Sequence, residues 1–246
     1  MTAAVSVLKF GSSVLRSPAD YRAAAREIAA WLSRGRRVVA VVSAPGRTTD
    51  GLMAMARAHA GDPDPRALAA LLATGERSSA AVLAIALGAA GVRCWLGDPA
   101  QVGLTARGPT LDAEPAGLDV AMLRRLLQER PAVVLPGFFG MDEEQGHVVL
   151  LGRGGSDLTA MFVAQRLGAS CRLLKDVAGI HDADPAAGPS RRYHTVGWSD
   201  VASLGARVVQ AKALAYAAAH GVAFEVSAPG AAGGTRVGPF PLAFAP

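Results

Sequence analysis

The chain has 246 residues, which allows one large α/β domain or two small ones around a substantial buried core. Hydrophobic residues make up 51% and aromatic residues only 5%, so we expect this core to consist of Ala, Val and Leu. The formal net charge is +5, but the arginines are scattered and lack interleaved aromatic residues, which favours small anionic ligands and argues against nucleic acid.

The cysteines and the N-terminus are typical of a cytoplasmic protein. Cys94 and Cys171 lie far apart and lack metal-ligand spacing, so we expect two reduced packing residues. The N-terminus lacks a basic segment followed by an apolar stretch, and residues 5–10 have the pattern of a first strand. The longest apolar helix, around residues 80–90, is too short to cross a bilayer, so no membrane association is expected.

Apolar strands and periodic helices alternate along the chain. The predicted strands are residues 5–10, 37–42, 92–96, 132–135, 147–151, 171–174 and 222–226. The predicted helices are residues 22–32, 50–60, 66–88, 120–128, 158–167 and 199–220. Ser17-Pro18 should begin the first helix, Gly75-Glu76 should interrupt the third, and Gly205 should break the last.

Two connecting segments lack a clear period. Residues 101–118 should be irregular with short strands, and residues 183–193 should form a loop. The alternation elsewhere predicts an α/β fold, a three-layer α/β/α sandwich whose central sheet is mainly parallel. No linker divides the sequence, so we expect a single domain over residues 1–246.

A glycine-rich segment follows the apolar run that ends at Leu151. Three glycines within residues 152–155 leave little side chain between the backbone and a ligand. Ser156 or Asp157 is predicted to cap the following helix, whose N-terminus attracts an anion. Arg153 can bind a carboxylate or phosphate through two hydrogen bonds. A tight turn alone would explain the glycines, but it would not explain opposite charges within the turn.

Polar residues recur at the carboxyl ends of the predicted strands, where parallel sheets bind their ligands. They lie in residues 9–13, 43–46, 152–157 and 175–176. Phosphoryl transfer needs positive charge and N–H donors around the moving group, with little covalent participation by the protein. The sequence has neither a dinucleotide-binding glycine motif nor a P-loop, and no recognisable nucleophile or histidine-ligand arrangement. The pattern therefore favours phosphoryl transfer over hydride or acyl transfer.

Several segments, in order and spacing, resemble the catalytic domain of aspartate kinases, within the amino-acid kinase superfamily. The most specific is residues 152–160, GRGGSDLTA, which is similar to the family pattern Gly-Arg-Gly-Gly-Ser-Asp-x-Thr-Ala. The other matching segments are residues 9–14, 42–50, 71–77, 136–138, 175–185, 205–208 and 234–235. The resemblance covers essentially the whole chain and implies the amino-acid kinase fold.

The resemblance implies a role for each catalytic and acceptor-binding residue. Lys9 would contact the β- and γ-phosphates of ATP, and Asp157 would order Lys9 and the reacting groups. Arg153 would bind the α-carboxylate of an amino acid, and Glu76 would accept its ammonium group. The complete acceptor site would be Thr49, Glu76, Phe138, Arg153 and Ser156.

The resemblance also implies a nucleotide site, mostly in the part of the chain from about residue 150, while the N-terminal part would bind the acceptor. Its residues would be Lys9, Gly11, Ser12, Ser13, Asp176, Gly179, His181, Asp184, Pro185 and Arg207. Backbone N–H groups of the first loop would line the phosphates, and the later residues would hold the nucleoside. Mg²⁺ would be held mainly by ATP oxygens and water, without a protein carboxylate cage. The acceptor is already a carboxylate, so no general base is required.

The sequence departs from the family pattern in its first loop and at one cation. The loop reads Gly-Ser-Ser where the family has Gly-Gly-Thr, and Arg207 replaces a family lysine. Lys212 would either compensate for that change or be a solvated lysine. The chain ends at Pro246 without the ACT regulatory domains of aspartate kinases, so the allosteric site should be absent. The resemblance further implies a homodimer, to which a separate regulatory subunit could be added.

Three functions are compatible with these features. The leading hypothesis is an ATP-dependent kinase that phosphorylates the side-chain carboxylate of aspartate to an acyl phosphate. The altered first loop supports a second, a superfamily kinase for another small acid, a phosphonate or a phosphate. The third is a nucleotide-binding module without turnover.

Overall fold

Two β-sheets and the helices packed on them make up the fold. The computed structural model of the protein describes residues 3–184, 187–204 and 208–245. The strands in these ranges are β1 (Val5–Phe10), β2 (Arg37–Val42), β3 (Cys94–Leu96), β4 (Thr105–Arg107), β5 (Glu114–Gly117), β6 (Ala132–Pro136), β7 (Phe139–Asp142), β8 (Val148–Leu150), β9 (Ser170–Leu174), β10 (Tyr193–Gly197), β11 (Phe224–Ser227), β12 (Thr235–Gly238) and β13 (Ala243–Phe244). The α-helices are α1 (Pro18–Ser33), α2 (Thr48–His59), α3 (Pro65–Ala89), α4 (Val120–Glu129), α5 (Gly155–Leu167), α6 (Trp198–Ser203) and α7 (Ala211–Ala219).

The larger sheet has nine strands in the order β13-β10-β12-β11-β9-β1-β2-β6-β3. Every pair from β11 to β3 is parallel, and antiparallel pairing occurs between β11 and β12 and between β10 and β13. β1 lies between β9 and β2, with Lys9 opposite Val41 of β2 and Leu173 of β9. The C-terminal half of β1 therefore meets chain segments from both halves of the sequence.

The central strands are apolar because both of their faces are covered. In β1, Val7 joins the core formed with α4, α5 and α7, while Leu8 joins the core formed with α1 and α3 on the opposite face. This alternation follows from the two-residue period of a strand. The predicted three-layer α/β/α sandwich with a mainly parallel sheet is confirmed.

The smaller sheet is a feature that the sequence pattern did not reveal. Its four strands have the order β5-β4-β7-β8, with β7 antiparallel to β8 and parallel to β4. Phe139 of β7 and Leu150 of β8 pack against Leu68 and Leu72 of α3. The loop from β8 leads directly into α5, so this sheet holds the start of the glycine-rich segment.

The N-termini of α1 and α5 are capped in different ways. Ser17 caps α1 in a capping box with Asp20, and Pro18 occupies the first turn, as expected at this start. The predicted cap of α5 by Ser156 or Asp157 is wrong. Gly154 is the N-cap, with no side-chain cap hydrogen bond, and the helix begins at Gly155. Both polar side chains therefore lie inside the first turn.

The predicted interruption of α3 at Gly75-Glu76 is also wrong. The helix runs unbroken for 25 residues. A Cβ at Gly75 would lie 2.9 Å from the Ala44 Cβ, so the glycine serves close packing and does not break the helix. Nor is α3 too short for a bilayer, since its length and composition would allow it to span one. Half of its apolar window is buried inside the protein, as in a core helix.

The C-terminal third differs from the sequence prediction in several elements. Residues 199–220 form two helices, α6 and α7, and the predicted break at Gly205 lies outside the described residues. The predicted loop 183–193 ends in β10, and β12 and β13 complete the sheet edge beyond the predicted closing strand. β10 and β12 are short and contain glycine and polar residues, and β13 has only two residues, so their apolar pattern is weak. Cys94 and Cys171 are free thiols, as expected.

The core on the α1 face can be tested with two isoleucines on helices. Ile28 of α1 is fully buried, whereas Ile85 of α3 is 73% exposed. Ile28→Ala is expected to lower the free energy of unfolding by about 3 kcal/mol, because it removes buried methyl groups and leaves a cavity. Ile85→Ala should change it by less than about 0.5 kcal/mol. Urea denaturation followed by circular dichroism measures both, and equal losses would contradict this packing.

Candidate active site

A cavity of about 220 Å³ lies where the carboxyl end of β1 meets the N-terminus of α5. Strands β2 and β9, the neighbours of β1, contribute the residues that follow them in the chain. The lining residues are Lys9, Ser43, Phe138, Gly152, Arg153, Gly154, Gly155, Ser156, Asp157, Lys175 and Gln210. The structure therefore brings together five of the residues selected from the sequence: Lys9, Phe138, Arg153, Ser156 and Asp157.

The carboxylate of Asp157 lies between two lysines inside this cavity. Its Oδ1 is 2.6 Å from Lys9 Nζ, and its Oδ2 accepts a hydrogen bond from Lys175 Nζ at 2.7 Å. Asp157 and Lys9 are almost fully buried, and the Lys175 side chain is 14% exposed. The predicted ordering of Lys9 by Asp157 thus has a direct geometric basis.

Burial and charge act in opposite directions on this cluster. Burial raises the pKa of Asp157, but the charges of Lys9 and Lys175 outweigh that effect, so this pKa lies below its ordinary value. Burial lowers the pKa of Lys9 to about 8; the Asp157 charge raises it, and the Lys175 charge lowers it. Near neutral pH, the cluster therefore holds one negative and two positive charges, a net charge of +1.

The glycine-rich turn owes its shape to contacts on both sides. Gly154 has φ +79°, and a Cβ there would lie 2.5 Å from the Cβ of Gln210. Gly152 has φ +71°, and a Cβ there would lie 2.0 Å from Asp112 Oδ1. Positive φ and close packing both exclude larger residues at these two positions. The turn therefore packs against Asp112, in the loop between β4 and β5, on one side and against Gln210, at the start of α7, on the other. Arg153 lies between the two glycines in the chain.

Phe138 has a left-handed backbone conformation, with φ +75°. A bulky residue rarely adopts this region, and hydrogen bonds hold it there. Its N–H donates to Thr159 Oγ1 at 3.1 Å, and its carbonyl accepts from the Leu151 N–H at 2.8 Å. The half-buried ring lines the cavity, as expected for a residue that flanks the acceptor.

A second cavity, of about 290 Å³, adjoins the first, since Ser43 lines both. Its lining residues are Ser12, Ser43, Ala44, Gly46, Arg47, Thr49, Asp50 and Glu76. Glu76 is almost fully buried; its Oε1 accepts a hydrogen bond from the Ala44 N–H at 2.9 Å. Its Oε2 is buried and has no hydrogen-bond partner within the described ranges.

Burial is the main influence on Glu76. It raises the pKa of this carboxyl to about 7, although the Ala44 N–H and the Lys9 charge act in the opposite direction. The unpartnered Oε2 atom and the adjoining cavity make Glu76 a candidate for binding a cationic group. Thr49 is placed beside Glu76, as predicted, on the first turn of α2.

A third cavity, of about 470 Å³, lies on the outer side of the glycine-rich turn. Gly152, Arg153 and Gln210 line both this cavity and the first. Lys212 lies here, with its Nζ 2.6 Å from Asp112 Oδ1 and 3.1 Å from Glu114 Oε1. Lys212 is therefore neither simply solvated nor an unpaired cation facing phosphate, because two carboxylates neutralise it.

The predicted phosphate-binding loop is only partly positioned as expected. The Gly11 N–H donates to the Leu174 carbonyl at 3.0 Å, so it is already used within the protein. Ser12 lines the Glu76 cavity, and Ser13 Oγ donates to Asp176 Oδ1 at 3.1 Å. The Ser13–Asp176 bond joins the first loop to the segment that follows β9.

Of the predicted nucleoside-binding residues that the structure describes, Asp176, Gly179, His181 and Asp184 do not line the three cavities. Gly179 has φ +146°, and a Cβ there would lie 2.6 Å from Thr235 Oγ1, so packing within the protein accounts for this glycine. His181 pairs with Arg192 through an isolated β-bridge, and Asp184 is exposed. Pro185 and Arg207 lie outside the described residues. The nucleoside site stays a prediction.

Sequence reasoning assigned no role to three cavity residues: Ser43, Lys175 and Gln210. Lys175 carried a usable signal, because it follows an apolar strand at the same sheet edge as Lys9. Gln210 precedes an alanine-rich helix and had no signal, since its position depends on packing against Gly154.

The Asp157 cluster can be tested by folding stability. Asp157→Asn is expected to lower the free energy of unfolding at pH 7 by about 3 kcal/mol, because it leaves two lysines in the cavity without a counter-charge. Asp112→Asn is the matched control, since Asp112 pairs with a lysine but is 67% exposed, and it should cost less than about 1 kcal/mol. Urea denaturation measures both; a small loss for Asp157→Asn would show that the lysines are not charged in the folded protein.

Comparisons with known proteins agree with this arrangement. The family model described as the amino acid kinase family matches residues 4–225. The aspartokinase of Thermus thermophilus is 36% identical over 228 residues, which cover 91% of this chain and 56% of that protein. The aspartokinase of Mycobacterium tuberculosis is 35% identical over 228 residues, covering 91% and 54%. The chain thus spans about half the length of the curated relatives it matches.

Solved structures show the same relationship. Aspartate kinase from Synechocystis superposes with a TM-score of 0.81 at 30% identity, over 97% of this chain and 40% of that one. Aspartokinase III of E. coli, in complex with aspartate and ADP, shares the fold with a TM-score of 0.79 at 23% identity, over 95% and 64%. With its sheet order, its strand-end lysine and the family match over residues 4–225, the chain belongs to the amino acid kinase family.

Proposed function

We propose that the protein is an ATP-dependent kinase that phosphorylates the side-chain carboxylate of aspartate, giving an acyl phosphate. One observation carries the proposal: the Lys9–Asp157–Lys175 cluster lies in a cavity that adjoins the cavity of Glu76. A cationic cavity suits the phosphates, and a neighbouring buried carboxylate suits an amino acid. The likeness to aspartokinases over 91% of the chain supports the same acceptor.

Acceptor binding would use opposite charges at two places. Arg153 lines the cavity beside the lysine cluster and has the fork geometry that binds a carboxylate through two hydrogen bonds. Glu76 offers its unpartnered Oε2 to the ammonium group. Thr49, Phe138 and Ser156 complete the predicted acceptor set around the same two cavities.

The transfer step needs positioning and positive charge. An oxygen of the acceptor carboxylate would form a bond to the γ-phosphorus of ATP, while the bond from that phosphorus to the bridging oxygen breaks and ADP leaves with the electron pair. Lys9 and the N-terminus of α5 would stabilise the negative charge of the moving group. No general base is required, because the attacking oxygen is already unprotonated at neutral pH.

Magnesium would arrive with the nucleotide. Both oxygens of Asp157 are engaged by lysines, and within the described ranges no cluster of three or more His, Cys, Asp or Glu side chains could hold a metal. Mg²⁺ bound to the phosphate oxygens would neutralise part of their charge.

A second candidate acceptor is another small acid, a phosphonate or a phosphate. The Ser12 side chain supports it, because this residue replaces a family glycine and lines the Glu76 cavity. An extra hydroxyl there alters the space and the hydrogen bonding available to the acceptor. Cytoplasmic location and a single domain remain proposals from the cysteines and the lack of a linker, and homodimer formation and a separate regulatory subunit remain proposals from the family resemblance.

The acceptor can be identified by trapping the product. With ATP and Mg²⁺, hydroxylamine should convert the acyl phosphate formed from aspartate into a hydroxamate, measured by its iron complex. A panel containing aspartate, glutamate, succinate, a phosphonate and a phosphate monoester tests both candidates, with ADP release as the second readout. ADP release with only another acceptor would reject aspartate and leave the kinase assignment standing. Absence of ADP release with every acceptor would reject both.

Glu76 should make acceptor use depend on pH. Its pKa of about 7 means that the carboxylate is charged above pH 7 and neutral below it. The kcat/KM for aspartate should therefore fall as the pH decreases through 7. Glu76→Gln should abolish this pH dependence and lower kcat/KM at pH 8 by about 100-fold. Turnover of succinate, which lacks the ammonium group, should change little. The control is Glu129→Gln, which changes an exposed carboxylate at the end of α4. If kcat/KM of Glu76→Gln still fell below pH 7 as in the wild type, the assignment would be contradicted.

A further inference from the structure

Lys175 belongs to the cationic cluster, but the transfer step described for the proposed reaction gives it no contact with the phosphates. It follows β9 directly, next to the strand that carries Lys9, and its backbone N–H donates to the Ser227 carbonyl at 2.8 Å. This bond fixes the backbone from which the side chain enters the cavity. Its Nζ then reaches Asp157 Oδ2 at 2.7 Å.

The two lysine side chains converge beside one small residue. A Cβ at Gly11 would lie 3.6 Å from both Lys9 Nζ and Lys175 Cδ. Gly11 therefore leaves open the space that borders both side chains. The two ammonium groups approach from adjacent strand ends, and each holds a different oxygen of the same carboxylate.

The charge of this cluster is unusual for a folded protein without ligand. One buried carboxylate neutralises one lysine, so the second lysine leaves a net charge of +1 on three side chains that are themselves largely buried. Excess charge of this kind is unfavourable on its own and becomes favourable when an anion enters. The first turn of α5 points its N-terminus at the same cavity and adds partial positive charge.

The choice of side chain is also informative. The chain has 25 Lys and Arg residues but only three lysines, Lys9, Lys175 and Lys212. Two of these three meet at Asp157. Lysine presents a compact charge that can turn from one oxygen to another, whereas arginine has a planar fork that fits one fixed partner.

We propose that Lys175 is a second phosphate-contacting catalytic residue, so that the terminal phosphates of the nucleotide lie between Lys9 and Lys175. The inference rests on the proposed kinase function. During transfer, the bond between the γ-phosphorus and the bridging oxygen breaks, the bond to the acceptor oxygen forms, and the electron pair leaves with ADP. Lys175 keeps its proton throughout and stabilises the charge on the phosphoryl oxygens.

The test compares Lys175→Met with the control Lys212→Met. Lys212 is the lysine that pairs with Asp112 and Glu114. Steady-state kinetics should show that Lys175→Met lowers kcat about 100-fold, while the KM for the acceptor stays within roughly threefold. Lys175→Arg should recover part of kcat, because the charge is retained. Lys212→Met should keep kcat within roughly twofold of the wild type.

Nucleotide binding separates phosphate contact from a merely structural role. Calorimetry without acceptor should show that Lys175→Met weakens binding of AMP-PNP about tenfold and leaves binding of AMP unchanged, because only the former has terminal phosphates. A structural defect would weaken both. Folding should survive, since removing Lys175 leaves Asp157 and Lys9 as a neutral pair, and urea denaturation checks this.

The outcomes distinguish the two proposals. Wild-type acyl phosphate formation together with an unchanged kcat in Lys175→Met would overturn the role of Lys175 alone. Equal loss of AMP-PNP and AMP binding would also overturn it. A wild-type protein that binds AMP-PNP but phosphorylates no acceptor would overturn the kinase function, and the AMP-PNP difference would then still decide whether Lys175 contacts phosphate.

Discussion

The sharing of one buried carboxylate by two lysines is the interaction on which the site depends. Asp157 brings Lys9 and Lys175 to within 2.7 Å of its oxygens, although the two cations repel each other. The carboxylate does not cancel their charge, because it supplies one negative charge against two positive ones. It therefore keeps the lysines close together and charged while leaving an attraction for an anion. Because the three side chains are largely buried, this attraction is stronger than it would be between exposed groups.

The sheet order explains how such a cluster can form from distant parts of the sequence. Lys9 and Lys175 are far apart in the chain, but β1 and β9 are adjacent and parallel, so both strands end at the same edge. The glycine-rich turn brings α5 to this edge from the small sheet. Asp157 lies in the first turn of that helix, where it is close to both lysines without acting as a cap. Topology, with little contribution from local sequence, therefore assembles the charges.

Much of this arrangement could be predicted from the sequence because its elements are strongly patterned. The strand over Arg37–Val42 was located to the residue, since a continuous apolar run between polar ends has few alternatives. Arg153 and Asp157 were selected because opposite charges in a strand-to-helix turn have little structural reason to be there, and Lys9 because it lies at the carboxyl end of a predicted strand and in a segment that resembles the family. A strand over residues 147–151 and short strands within 101–118 were expected, and β8, β4 and β5 lie there. β7 and the pairing of these strands into a second sheet were missed, because that pairing depends on distant partners.

The errors in the site have physical causes of the same kind. Asp157 belongs to the residue types that cap helices, but two lysines compete for its carboxylate, and tertiary charge pairing determined its role. Gly75 looked like a helix break, yet the close approach of Ala44 gives that glycine a packing function. Lys175 received no role because its significance depends on the carboxylate it reaches from another element. A contact between two distant elements leaves no periodic pattern in the local sequence, so the sequence does not predict it.

The left-handed backbone of Phe138 affects which substitutions could stabilise the protein. A phenylalanine at φ +75° costs roughly 1–2 kcal/mol relative to glycine, which adopts this region freely. Selection for stability alone would favour glycine at this position, while the aromatic ring gives the cavity a wall. The residue thus marks a trade-off between stability and activity, in which the fold retains a local strain to keep the shape of its binding site. Stabilising variants of this protein are consequently best sought away from this turn.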